Sequence, residues 1–543
     1  MGKPKSKPQM SLLSGSVYDD WGGLPESHWS YRFFEHIYQA LDDAQFADLY
    51  ESGGRQPVSP RLLVCITLLQ YMQRVSDREA VERSIDCRSW RIALGIAVGY
   101  EGFHPTVLCY FRKRLLVHGQ ARRVFDTVLE RLQDLGLLKG HTKVRVDATK
   151  LIADVAVLSR ADMIREAIRV VVCSLAKLRP KLREQRAEFA RLYEKYHQEC
   201  WLGGASYSND DLRELARDAK LLLRLCGPYP AAGRQTLAQI LDENFRFVGD
   251  EPEPIPREEI APGHIVTPHE PDAEVGKDDT QIWTGDKVHV VETVTDAGPG
   301  FVVDVIVTGP RVPDANLLPT IADRVAAVLP EADLLLADGG YASAANSQHA
   351  AGAGLDLVSP PRRETHRGTI PAGEFVLDFE RQVARCPEGH QSNRWRLGKR
   401  LYIKFPRGVC AACSRRSECT TSPTEPRTLT LSPQYEQLLR DRARARTDEF
   451  AEQYRQRAGV EATISELVHC CGLRRSRYRT KPKRELHALL ANAALNVRRM
   501  FRALAAKDGL EQQAEGVLSR LRRALTKAIG GRQEPTSPVL SAT

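Results

Sequence analysis

Lys143-Val144-Arg145-Val146-Asp147-Ala148-Thr149 alternates apolar and polar side chains, the two-residue period of a half-buried strand, with Asp147 at its expected end. Downstream, Asp333-Leu334-Leu335-Leu336-Ala337-Asp338 is an unbroken apolar run ending in a second acid. Such a run predicts a short central strand buried on both faces, and Gly339-Gly340-Tyr341 make the turn out of it. Between the two lie Lys287–Val294 and Phe301–Val307, which predict a hairpin turned by Asp296-Ala297-Gly298-Pro299-Gly300. A helix, Leu317 to Val328, capped near Asp314 or Asn316, follows. The expected fold class is α/β with a mixed sheet.

Outward from these strands the pattern is helical. Pro60 to Leu138 predicts several short helices, one opened by Ser76 and Glu79 at capping-box spacing. Phe111-Arg112-Lys113-Arg114-Leu115 and Arg122-Arg123 lie on later ones. Residues 1–140 are therefore expected as a helical N-terminal DNA-binding domain, the plainer alternative being a bundle with solvated charges. Residues 141–160 begin the core. A helical insertion and linker spans 161–260, with Ser174–Gln198 expected as one long exposed helix and Glu251–Pro271 as an extended linker. The core sheet resumes over 261–361. A Cys- and Arg-rich insertion occupies 362–430, helices 431–510 and a tail 511–543.

Composition narrows the function classes. The chain has 543 residues, 42% hydrophobic and 27% charged, which excludes a mostly disordered protein. Lys+Arg minus Asp+Glu is 78 − 69 = +9, an excess that favours a polyanionic partner. No apolar run is long enough for a transmembrane helix, and basic Met1–Met10 lacks the apolar region of a secretory signal. Twelve cysteines are too sparse for a disulfide scaffold, so a cytoplasmic location with reduced thiols is expected.

Three acids carry the candidate chemistry. Asp147, Asp338 and Glu461, the last within a predicted helix, can converge on one point. Carboxylate oxygens suit Mg²⁺ or Mn²⁺, and two such ions support in-line phosphoryl displacement. Taken singly, each acid is an ordinary turn former or surface residue. Tyr454, Arg457 and Glu461 stand at i, i+3 and i+7, one side of a helix, so Arg457 and Tyr454 are candidate phosphate contacts. Arg474, Arg475 and Arg477 open a run of seven bases in the eleven positions 474–484. Lys287 and His289 share one strand face as further candidate DNA contacts, a structural role for His289 being the alternative. Cys386, Cys410, Cys413 and Cys419, with His390 nearby, have spacing compatible with a structural zinc site. The remaining cysteines are expected as packing residues.

In these motifs the chain resembles DDE transposases of bacterial insertion sequences, in the branch with a Tyr-x2-Arg-x3-Glu signature. The resemblance rests on Val146-Asp147-Ala148-Thr149, Gly285-x-Lys287-x-His289, Ala337-Asp338-Gly339-Gly340-Tyr341, Tyr454-x2-Arg457-x3-Glu461 and Arg474-Arg475-x-Arg477-Tyr478. It implies an RNase H-like core with Asp147, Asp338 and Glu461 holding two Mg²⁺ or Mn²⁺ ions. It also implies double-stranded DNA as partner, both inverted-repeat ends and target, and cutting and rejoining of that DNA by a homodimer on paired ends at the bacterial nucleoid. The signature normally carries Lys seven residues after the Glu; here that position is Val468. A transposase-derived regulator and a stand-alone metal-dependent nuclease are the alternatives.

Overall fold

The computed structural model describes residues 24–530, except 26, 52, 54, 55, 98, 156, 157, 199–206, 278–280, 296–299 and 363–368, and only the backbone from 510 onward. The Met1–Met10 segment, Cys200, four residues of the expected turn and the end of the tail lie outside the described residues.

Six strands form the main sheet: β1 (Lys143–Ile152), β2 (Glu274–Lys277), β3 (Ile282–Thr293), β4 (Val302–Thr308), β5 (Leu334–Leu336) and β6 (Asp356–Val358). The order is β2-β3-β1-β5-β6, with β4 also paired to β3. β1, β2 and β4 run antiparallel to β3, whereas β1, β5 and β6 are mutually parallel. The fold is mixed α/β, as expected. β5 is shorter than predicted, and all three of its residues are buried.

Asp147 does not close its strand. β1 continues to Ile152 because β3 runs beside it that far, Ile152 opposite Gly285. Asp338 lies two residues beyond β5. Arg145 pairs with Leu336, so two further steps along the same parallel register carry Asp147 alongside Asp338.

Helices on both sides of the sequence close over this sheet. Pro60–Gln73 starts with Ser59 accepting from Leu62 N and Pro60 in the first turn; it is buried on nearly every face. It shares one continuous core with the sheet and with the C-terminal helix, Lys481–Gly530. That helix crosses the boundary expected at 511. The N-terminal arginines are engaged by acids of the chain itself. Arg112 is buried against Asp77 at 2.5 Å, Arg123 pairs with Asp48 at 2.5 Å, and Arg122 with Asp304 at 2.9 Å. Ser76 caps Glu79 N, but the Glu79 carboxylate turns to Arg83 instead of completing the box.

The insertion after β1 has its own core, built by Arg160–Leu178, Ala187–Tyr196, Asn209–Cys226 and Arg234–Asn244. The single helix expected over Ser174–Gln198 is broken at Leu178 and resumes in pieces. Pro180 lacks an amide hydrogen and clashes with the preceding turn. The expected linker is ordered: Glu251–Pro254 pairs with Phe245–Val248, and Glu270 is fully buried. The Cys-rich module forms a third, small core around Phe375, Leu401, Ile403, Phe405 and Leu429.

Candidate active site

Asp147 and Asp338 are set side by side by the parallel pairing of β1 and β5. Asp338 is held by its surroundings: its Oδ1 accepts from Gly340 N at 2.9 Å, and its carbonyl accepts from Ser359 Oγ at 2.6 Å. Gly340 admits this approach, since a Cβ there would stand 3.0 Å from Asp338 Oδ1 and 3.2 Å from Asp314 Oδ2.

The third acid arrives on a segment that is not one helix. Asp448–Arg455 is α-helical, Gln456–Ala458 is a 3₁₀ turn, and Gly459–Cys471 is the next α-helix. The uniform i, i+3, i+7 spacing is therefore interrupted between Tyr454 and Glu461. The turn still delivers Arg457 into the site. Its guanidinium lies 3.2 Å from Asp147 Oδ2 and 3.4 Å from Glu461 Oε1, linking the two carboxylates. Tyr454 stacks on Phe450 beside the β5–β6 end of the sheet. Burial raises the Asp147 carboxyl above the usual range, Asp338 and Glu461 push the same way, and Ala148 N–H and Arg457 oppose them. Asp338 and Glu461 thus both lie close enough to act on Asp147.

A buried network fixes the turn. Glu292, fully buried on β3, accepts from Arg145 Nε at 2.6 Å, Thr463 Oγ1 at 2.6 Å and Arg499 Nη1 at 2.8 Å. Arg145 Nη1 also donates to Gln456 O at 2.7 Å. It does so by filling the space over Gly459, where a Cβ would stand 2.0 Å from Arg145 Nη1. Sequence reading missed Arg145, Glu292, Gly459 and Asp314. Arg145 could have been found, because it lies two residues before Asp147 on the same strand face. Asp314 was expected only as a helix cap; it pairs with Lys287 and stands near Asp338 across Gly340.

Several expected DNA contacts are instead internal. His289 is buried, with Nδ1 2.6 Å from Tyr341 Oη and Nε2 3.1 Å from Thr308 Oγ1. Burial pushes it down to about 4, so it is a neutral packing residue. Lys287 donates to Val312 O at 2.6 Å and is engaged by Asp314. Arg474 donates to Lys150 O at 3.1 Å and Arg477 to Val75 O at 2.6 Å. Arg484 is fully buried against Glu270 and Asp286. Each thus spends polar atoms on partners within the chain. Arg475, Arg479 and Lys483 remain exposed, without an ion pair among the described residues.

Hard carboxylate oxygens such as those of Asp147, Asp338 and Glu461 are the donor type that fits a divalent cation. As placed, no group of three or more His, Cys, Asp or Glu side chains among the described residues is closed tightly enough to hold one. Among them, too, no helix is long and apolar enough to cross a membrane.

Residues 385–501 match the family model of a transposase DDE domain, and residues 23–114 match that of a transposase domain (DUF772). The first covers Glu461, Arg457 and the cysteine motif but not Asp147 or Asp338. No curated protein and no solved structure matches the chain.

Proposed function

We propose, for a chain that belongs to the DDE-class insertion-sequence transposases, that Asp147, Asp338 and Glu461 form the site at which element DNA is cut and joined. The observation that carries this reading is Arg457 bridging Asp147 and Glu461, with Asp338 two residues past the Arg145–Leu336 pair as Asp147 is on β1. The strand order, three antiparallel strands followed by two parallel ones, supports an RNase H-like core.

The residues divide the work by position. Asp147 on β1 and Asp338 just beyond β5 are the residues that would hold the Mg²⁺ or Mn²⁺ ions. When bound, such ions activate the attacking oxygen and stabilise the leaving one. Glu461, with most of its side chain exposed, completes the set and orients the attacking hydroxyl or water. Arg457 holds two of the acids together and would offer its guanidinium to a phosphate oxygen of the DNA. Arg475, Arg479 and Lys483 contact the DNA backbone; Arg475 is bridged to Ile152, about 17 Å along β1 from Asp147 at roughly 3.3 Å per residue. Two chains bring the two inverted-repeat ends together as a homodimer in the bacterial cytoplasm.

The test is a cleavage and strand-transfer assay with purified protein, Mg²⁺ or Mn²⁺, and DNA carrying the sequences that flank the gene. Wild type is expected to cut at the repeats and join the ends. Asp338→Asn is expected to bind ends but lose both steps; retained cutting would remove Asp338 from the site. Cutting without end preference or joining would indicate a nuclease.

A further inference from the structure

The Cys-rich module is too small to explain its own order. Between Ile370 and Leu431 its core holds only seven buried hydrophobic side chains. A core that small ordinarily needs a metal, a disulfide or a partner surface to be stable. Its four cysteines are all free, so no disulfide supplies the cross-link.

Those four cysteines nevertheless come from three separate segments to one place. Cys386 directly follows the strand Val383–Arg385; its carbonyl accepts from Gly389 N at 2.8 Å, and its amide donates to His390 O at 2.9 Å. That tight turn presents the Cys386 side chain. Cys410 lies on Arg407–Ala411, Cys413 follows it, and Cys419 ends Arg416–Cys419. All four, with His390, line a single cavity. The backbone behind them is fixed by arginines: Arg416 Nη1 donates to Cys410 O at 3.1 Å, and Arg427 Nη1 to Cys419 O at 2.8 Å. The thiols ring the cavity without closing on one point.

We propose that Cys386, Cys410, Cys413 and Cys419 bind one structural zinc ion, which closes this cavity and serves as the missing cross-link of the module. Four thiolates are a soft donor set that selects Zn²⁺ over the hard cations of the carboxylate site. Each thiol gives up its proton to solvent as it ligates, so uptake releases protons and is favoured by rising pH. Burial holds the Cys419 thiol up and the other three thiols add to this, while Arg427 opposes them. His390 is the alternative donor if one thiol is removed.

The experiment measures zinc by elemental analysis in the full-length chain after gel filtration without added metal. About one zinc per chain is expected, falling to near none in Cys410→Ser/Cys413→Ser and unchanged in Asp338→Asn and Cys470→Ser. Because the double variant risks misfolding, cobalt is also substituted into the wild-type chain. Thiolate charge-transfer bands and intense tetrahedral bands are expected. A folded wild type without zinc, whose four thiols react freely with a thiol reagent and whose cobalt form lacks thiolate bands, would overturn the assignment. Two disulfides found by mass spectrometry would do the same. Neither readout depends on DNA cleavage, so failure here leaves the carboxylate site untouched.

Discussion

Gly459 is required for what it lacks. The Arg145 guanidinium occupies the place of its side chain and from there donates to Gln456 O, so one missing methyl lets β1 grip the turn that carries Arg457 and Glu461. Gly459→Ala forces that guanidinium away or pushes the helix off the sheet. Overpacking of this kind costs about 1–3 kcal/mol. Urea unfolding should show that loss, and cleavage should fall further than stability does, because Glu461 is displaced from Asp147. Arg145→Ala removes the obstruction, so the double variant should lose less stability than the two single losses summed. Strict additivity would show that the two residues do not meet.

Individual elements were legible where one face or one period decides them. β1 and β5 follow from alternation and from a continuous apolar run, and both helix flanks of the sheet follow from capping and apolar spacing. Register was not legible. The length of β1 is set by β3, more than a hundred residues away, and so the position of Asp147 within it was missed. The basic face was overread for a related reason: Arg477 and Arg484 are spent on acceptors supplied by distant segments, which charge density cannot reveal. His289 shows the energetic consequence. Burial holds its folded value at about 4 against 6.5 for the unfolded chain. Between those values the unfolded state binds the extra proton, so stability is full above pH 6.5 and is lost as pH falls towards 4. The loss is roughly 3 kcal/mol for one such group. His487, buried beside Arg477, is held at about 4 as well and adds a similar slope. Stability measured from pH 7 to 4 should therefore fall less, or rise more, in His289→Gln than in the wild type. An unchanged slope would mean that His289 is charged in the folded protein.

At the scale of the whole molecule, the chain is held by separate cores that differ in what they join. The largest runs from the N-terminal helices through the sheet to the C-terminal helix, so both regions matched to transposase models contribute to it. The insertion after β1 keeps its own core, tied back across one edge by His269 Nε2 at 2.7 Å from Glu166. Residues sharing packed neighbours unfold together, and those that do not can open independently. The site belongs to the large core: Arg145, Glu292 and Arg499 link β1, β3 and the C-terminal helix, and Arg145 also carries the network to the Glu461 turn. Removing Glu292 would leave Arg145 and Arg499 without their shared carboxylate, and breaking such a buried pair costs about 3–5 kcal/mol. Leu175→Ala, in the insertion core, and Leu489→Ala, in the large core, each open a cavity costing about 2–5 kcal/mol. Calorimetry should then resolve two transitions. Leu175→Ala should lower only the insertion's, whereas Leu489→Ala and Glu292→Ala should lower the one that carries the acids. Hydrogen exchange should assign the first to residues 160–245 and the second to β1, β3 and the Glu461 helix. A single transition moved equally by all three variants would mean that the insertion is bound rigidly into the catalytic body. Its loss would then disturb the spacing of the acids.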